Sequence, residues 1–191
     1  DGETAESAQA GRVLVAWASQ TGNAEEFAGE VSTALAAAGH RADLIDLDDC
    51  DLANLTPGST LLVITSTFGD GEAPDNGAGF WERLSAESAS KITGINFAVL
   101  AFGDSSYGDF CGFGRRVDIR LEELAGVRLV PRVDCEPDYE DAARGWLEAL
   151  LAALGEKASG ASGEAAGGTA VAVSPQTVTA PSAPTYTRKA P

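Results

Sequence analysis

Val13-Leu14-Val15-Ala16-Trp17-Ala18-Ser19-Gln20-Thr21-Gly22-Asn23-Ala24-Glu25-Glu26-Phe27 runs from an apolar strand, through small and polar residues, into a helix-patterned stretch. A strand that stops where hydroxyl and small residues begin leaves the first N–H groups of the next helix without intrahelical partners. With the Ser19 and Thr21 hydroxyls they can converge on an anion. No Lys or Arg lies between Val13 and Glu30, so a dianion held here would be neutralised by amides and the helix dipole instead of a cation. The Walker pattern, which places a Lys and a metal-binding Ser or Thr after its glycines, is absent. The loop suits a phosphate monoester. Taken alone, it leaves open a plain helix cap at Ser19.

Two further loops decide between these readings. After Leu61-Leu62-Val63-Ile64 comes Thr65-Ser66-Thr67-Phe68-Gly69-Asp70-Gly71-Glu72-Ala73-Pro74-Asp75-Asn76, a glycine-rich turn carrying one large aromatic. After Phe97-Ala98-Val99-Leu100 comes Ala101-Phe102-Gly103-Asp104-Ser105-Ser106-Tyr107-Gly108-Asp109-Phe110-Cys111-Gly112, again glycines and hydroxyls around an exposed aromatic. Phe68 and Tyr107 each need a surface to cover. In a parallel doubly wound sheet all three loops lie at the carboxyl edge, where ligands bind beside the topological switch point. A flat ring between Phe68 and Tyr107, with its phosphate tail in the first loop, accounts for all of these features. The simplest such ligand is FMN.

On these three loops, in this order, the chain resembles the flavodoxin family over residues 11–154, and more closely the FMN domain of the diflavin reductases. Gly103-Asp104-Ser105-Ser106-Tyr107 followed by Phe110-Cys111 is most similar to the sulfite reductase flavoprotein branch. The resemblance implies an α/β fold, a flavodoxin-like three-layer sandwich around a five-stranded parallel sheet of order 2-1-3-4-5. It implies FMN contacts from Ser19, Gln20, Thr21, Gly22, Asn23 and Ala24 in the first loop. The second loop would add Ser66, Thr67, Phe68, Gly69, Asp70 and Gly71, and the third Phe102, Gly103, Asp104, Tyr107, Phe110 and Cys111. No catalytic side chain and no metal ligand is expected. The implied role is a one-electron relay within an NADPH-dependent flavoprotein oxidoreductase. Electrons would come from an FAD- and NADPH-binding module in cis and pass to a basic haem or molybdenum protein, such as sulfite reductase haemoprotein or an assimilatory nitrate reductase. Gly69-Asp70 matches the family's flexible peptide beside the flavin N5. The chain departs from the family at Phe68, where Tyr is common, and at Asn23, where diflavin reductases often carry Thr.

Composition bounds the partners. The chain has 191 residues and a formal net charge of -16, which excludes nucleic acid and anionic membrane surfaces, and no apolar run is long enough to span a bilayer. Asp70, Glu72, Asp75, Asp104 and Asp109 fall on the loops around the expected flavin, so a basic partner should be steered there. Cys50, Cys111 and Cys135 have no metal-like spacing and read as small buried hydrophobes in a reducing cytoplasm. His40, after Gly39, reads as a helix-end residue.

Strands are expected near 12–18, 42–47, 59–66, 95–102 and 127–133, and helices near 24–38, 76–87, 111–125 and 139–154, with a short helical turn near 50–55 and a stop at Gly155. Residues 1–10 read as a flexible lead-in and 11–154 as the domain. Residues 155–184, dominated by Ala, Gly, Ser, Thr and Pro, read as a linker. Thr185-Tyr186-Thr187-Arg188-Lys189-Ala190-Pro191 resembles the opening of the FAD/NADPH module. A chain without Met that begins at Asp1 is expected to be processed or cut from a longer one. Three rival readings fit less well. A phosphoryl-accepting receiver domain would need acids where Ser19-Gln20-Thr21 and Thr65-Ser66-Thr67 stand, and a flavin-free acidic interaction module leaves Phe68 and Tyr107 unexplained. A calcium loop over 70–76 lacks the Asp spacing and is interrupted by Pro74.

Overall fold

The computed structural model describes residues 11–161. The expected lead-in 1–10, the linker beyond 161 and the module start at 185–191 lie outside these residues. Six strands, β1 (Val13–Ala18), β2 (Ala42–Asp46), β3 (Thr60–Ser66), β4 (Asn96–Phe102), β5 (Val127–Arg128) and β6 (Val133–Cys135), form one sheet. Its order is β2-β1-β3-β4-β5, every ladder is parallel, and β6 pairs with β4 beyond β5. Helices α1 (Asn23–Ala37), α2 (Ala78–Ser85), α3 (Gly112–Glu123) and α4 (Glu140–Ala161) cover its faces.

The layering follows from alternation along two strands that are buried at every position, β3 and β4. Leu62, Ile64, Ala98, Leu100 and Phe102 pack with Phe27, Val31 and Leu35 of α1 and with Trp146 and Leu150 of α4. Their neighbours Leu61, Val63, Phe97 and Val99 point to the other face, against Phe80 and Leu84 of α2 and Phe113, Val117 and Leu121 of α3. Central strands with apolar residues on both sides have no solvent face, which requires helices above and below the sheet. Within α1, Ala24, Phe27, Ala28, Val31 and Leu35 form the single buried stripe of an amphipathic helix. Its end is closed by Gly39 N–H to Ala36 O at 3.0 Å and His40 N–H to Leu35 O at 2.9 Å, the two bonds of a Schellman motif. His40 therefore sits at the helix end, as expected.

Three boundaries differ from expectation. The fifth strand, read as continuous over 127–133, is broken. Opposite Ala98 and Val99 of β4 the edge chain carries Leu129, Val130, Pro131 and Arg132, so it bulges between β5 and β6. Pro131 has no N–H to give a ladder, and the strand resumes only beyond it. The last helix does not stop at Gly155 but continues to Ala161, and Lys157 Nζ reaches back to Asn96 Oδ1 at 2.7 Å, tying this extension to the start of β4. The turn expected near 50–55 resolves into two 3₁₀ turns, Leu47–Asp49 and Leu52–Asn54.

The broken edge is held by one carboxylate. Asp118 of α3 is only 5% exposed and accepts from Arg128 at 3.0 and 3.1 Å and from Arg132 at 3.3 Å, while Arg132 also donates to Asp134 at 2.8 Å. Removing the shared acceptor takes from both half-buried guanidiniums their most buried partner and leaves Arg128 with Glu122 at 3.2 Å and Arg132 with Asp134. We expect Asp118→Ala to lower the unfolding free energy by about 1–2 kcal/mol in urea denaturation, because the charge-assisted hydrogen bonds that join the two arginines to α3 are lost while each keeps one other carboxylate.

Candidate functional site

Parallel register brings the ends of β1, β3 and β4 level, with Ala18 opposite Thr65 and Ser66 opposite Phe102. The loops leaving these strands, joined by the segment after β6, enclose a cavity of about 680 Å³. Its lining comprises Gln20, Thr21 and Asn23; Ser66, Thr67, Phe68 and Gly69; Phe102, Gly103, Asp104, Tyr107, Asp109, Phe110 and Cys111; and Glu136, Pro137 and Tyr139. A volume of this size suits a small-molecule cofactor.

One end of the cavity is an amide cradle. Gly22 adopts φ 96°, a left-handed conformation that glycine tolerates, and so turns the chain into α1. Its N–H donates to Ser19 Oγ at 2.8 Å, and Ser66 Oγ lies 3.3 Å from the same oxygen. Ser19 N–H donates to Asn76 Oδ1 at 3.0 Å. Among the described residues, the amides of Gln20, Thr21, Asn23 and Ala24 meet no protein acceptor. Those of Asn23 and Ala24 belong to the first turn of α1, where orphan donors and the dipole favour negative charge, and those of Gln20 and Thr21 lie in the loop just ahead of its N-cap Gly22. Thr67 Oγ1, at the start of the second loop, is buried without a partner.

The other end is aromatic. Phe68 and Tyr107 remain 48% and 57% exposed on loops that are otherwise tightly tied. Phe68 and Glu72 exchange backbone bonds at 2.8 Å, closing a turn over Gly69, Asp70 and Gly71. Asp70 Oδ1 accepts from Gly108 N–H at 3.3 Å, linking the second loop to the third. Asp109 is bonded to Arg115 and Arg116, and Arg116 also donates to the Gly71 carbonyl. Gly71 has φ 116°, and a Cβ there would lie 2.5 Å from Asp109 Oδ2, so the approach of the two loops requires glycine. Within the third loop, Asp104 Oδ1 takes the Ser106 amide at 2.9 Å and hydroxyl at 2.5 Å. These bonds, the hydroxyl's first, hold the Asp104 carboxyl below the usual carboxylate range. The hydrogen bond from Arg115, then the charges of Arg115 and Arg116, do the same for Asp109 against a desolvation cost.

The expected residues fall into two groups. Gln20, Thr21, Asn23, Ser66, Thr67, Phe68, Gly69, Phe102, Gly103, Asp104, Tyr107, Phe110 and Cys111 line one cavity. Ser19, Gly22, Ala24, Asp70 and Gly71 are not among its lining residues. Ser19 and Gly22 shape the cradle, while Asp70 and Gly71 join the aromatic loops. The Ala24 side chain is fully buried in the α1 core, and of this residue only the amide lacks a protein partner. Cys111 is buried at φ 54°, its Sγ 3.6 Å from Ala101 O, and burial pushes its thiol up to about 12. It is a wall of the cavity that stays protonated at neutral pH. Cys50 and Cys135 are likewise buried, and all three are free.

The sequence reading did not anticipate the fourth segment. Glu136 accepts from Ser105 N–H at 3.1 Å, and the Tyr139 ring stands edge-on to Phe102 at 4.8 Å. With the last strand read as ending at 133 and the last helix as beginning near 139, Glu136 and Pro137 fell into an unplaced connection and Tyr139 at a helix start. The signal available was Pro137 and Tyr139 between a strand end and a helix start at the same sheet edge. Asp109 was noted only for its charge. No Lys or Arg is among the residues lining the cavity.

Comparison with known proteins places this geometry. The flavodoxin family model matches residues 15–146. Over 153 residues, 80% of this chain, the sequence is 42% identical to the sulfite reductase [NADPH] flavoprotein alpha-component of Bacillus subtilis. It is 39% identical over 160 residues, 84% of the chain, to that of Vibrio cholerae. The chain spans only about a quarter of the length of these relatives, 25% and 26%. Among solved structures, a Streptococcus pneumonia flavodoxin superposes with TM-score 0.67 at 27% identity, covering 76% of this chain and 99% of that one. A cysteine variant of Pseudomonas aeruginosa flavodoxin gives 0.66 at 33%, covering 75% and 99%.

Two outcomes follow from the loop ties. Gly71→Ala, forced into an unfavourable φ against Asp109, should lower the thermal midpoint by about 4–8 °C. Because the folded-state pKa values of Asp104 and Asp109 are depressed, their contribution to stability is present above the ordinary Asp range and lost as pH falls through the lowered values. Melting curves between about pH 6 and pH 3 should therefore show a smaller acid loss for Asp109→Asn than for the unmodified protein.

Proposed function

The chain belongs to the flavodoxin family, and we propose that it binds one FMN and serves as the one-electron relay domain of an NADPH-dependent diflavin reductase. The observation that carries this reading is the pairing, in one cavity, of an uncharged amide cradle with two exposed aromatic rings. The residues present fit the cofactor. The partnerless amides of residues 20, 21, 23 and 24 suit a terminal phosphate, and the buried, partnerless Thr67 Oγ1 has a donor and an acceptor to offer a ligand beside them. Phe68 and Tyr107 offer π-faces to a flat ring system.

When bound, FMN supplies the redox chemistry, accepting electrons and releasing them singly. The chain's residues supply position and field. Gln20, Thr21, Asn23 and Ala24 would hold the phosphate through their amides. Phe68 and Tyr107 would fix the ring and exclude water from its faces. Asp104 and Glu136 on the cavity wall, with Asp70, Glu72 and Asp75 on the second loop, keep the exit negative, while the charge of Asp109 is met by Arg115 and Arg116. A carboxylate-rich rim disfavours added negative charge inside the cavity and attracts a basic acceptor.

On this reading the source of electrons is an FAD- and NADPH-binding module in the same parent protein, and the acceptor is a basic haem or molybdenum protein. The similarity to sulfite reductase flavoprotein alpha-components favours sulfite reductase haemoprotein. That the chain matches a quarter of those relatives' length supports its being one module of a larger protein. Residues 162–184, rich in Ala, Gly, Ser, Thr and Pro, would serve as the tether between the two modules. Three buried free cysteines support a reducing, cytoplasmic setting, and no helix among the described residues is long and apolar enough to cross a membrane.

FMN titration followed by quenching of flavin fluorescence tests the reading. Saturation at one FMN per chain is expected, and Phe68→Ala or Tyr107→Ala should each raise Kd by roughly tenfold through lost stacking. Absence of quenching by the unmodified protein would overturn the assignment.

A further inference from the structure

We infer that Asn76 is a positioning residue for the anion end of the cavity, acting through Ser19 without touching the ligand. The inference rests on the FMN reading above. Asn76 lies in the 3₁₀ turn Asp75–Gly77, just ahead of α2, and is not among the cavity-lining residues. Its side chain spans the sheet edge. Nδ2 donates to Asp46 Oδ1 at 2.6 Å, at the end of β2, and to Trp17 O at 3.4 Å, near the end of β1.

A carboxylate and a carbonyl can only accept, so the amide fits one way round and Oδ1 must face the Ser19 N–H, 3.0 Å away. The bond to Asp46 is charge-assisted, which makes it the firm end of the bracket. Ser19, held at its amide, presents Oγ to the Gly22 N–H at 2.8 Å and to Ser66 Oγ at 3.3 Å. The chain Asp46, Asn76, Ser19, Gly22 thus consumes the two amides that would otherwise compete for the anion and leaves those of residues 20, 21, 23 and 24 without protein acceptors. A weaker strut, Asp75 N–H to Gln20 Oε1 at 3.4 Å, runs alongside.

Asn76 and Phe68 belong to the same connection between β3 and α2, so one segment sets the phosphate loop and also carries a ring-stacking aromatic. A defect at Asn76 should nevertheless register at the phosphate end alone. FMN and riboflavin differ only in the phosphate, which makes their affinity ratio the specific readout. Asn76→Ala should raise the FMN Kd about tenfold, the worth of one well-placed charge-assisted hydrogen bond, and the riboflavin Kd by less than about threefold. Asn76→Asp alone should behave like Asn76→Ala, since it sets a second carboxylate against Asp46. The exchanged pair Asp46→Asn/Asn76→Asp restores a donor facing an acceptor, keeps an acceptor for Ser19 N–H, and should return the FMN-to-riboflavin ratio to within about threefold of the unmodified value.

Equal weakening of both ligands, or unchanged FMN affinity in Asn76→Ala, would overturn the positioning role while leaving FMN binding intact. Should the single variants not fold, the exchanged pair decides, and its failure to discriminate FMN from riboflavin counts against the role. An unmodified protein that binds neither ligand would remove the FMN reading, and this inference with it.

Discussion

Everything at the functional end depends on the in-register parallel pairing of β3 between β1 and β4. Because β3 and β4 are buried at every position, a slip of one residue would move Leu62 and Ile64 from the α1 and α4 face to the α2 and α3 face. The same register puts Ala18, Ser66 and Phe102 at one edge, from which the cradle and both aromatic loops depart. Core packing thereby sets the site to within one residue.

Negative charge is handled in two opposite ways only a few residues apart. Inside the cavity the anion of the proposed cofactor would meet neutral donors, the amides at and just before the start of α1, since no cation is in the lining. Around the cavity the loops carry carboxylates, some tied by the chain's own groups, as Asp109 is by Arg115 and Arg116 and Asp104 by Ser106. The ties serve loop geometry. They fix the second loop to the third at Gly71 and Gly108 while leaving Phe68 and Tyr107 exposed. Rigid backbone under exposed rings is the arrangement expected of a preorganised stacking site, where ordering costs fall on folding and not on binding.

Much of this was legible in the sequence because it is local. The apolar run 13–18 followed by Ser19-Gln20-Thr21-Gly22 signals a strand, a donor-rich turn and a helix start within a few residues, and the loops at Phe68 and Tyr107 signal themselves by an aromatic among glycines. What escaped depends on contacts distant in sequence. Pro131 marked a break that Val127, Leu129 and Val130 disguised as one strand, and with that strand read as ending at 133 Glu136 and Pro137 were left without a place at the site. Gly155 read as a helix stop, yet the helix continues and Lys157 bonds to Asn96, which lies 61 positions earlier. The Asn76 bracket is invisible in sequence, since its partners are Asp46, Trp17 and Ser19 on different elements.

The most direct measurement is the visible absorption spectrum of the purified domain, with any bound chromophore released and identified. The account predicts a flavin spectrum and one equivalent of FMN per chain, in preference to FAD or riboflavin. A colourless protein that takes up no added FMN would contradict it, leaving the fold in place and the acidic loops as a docking surface without a redox role.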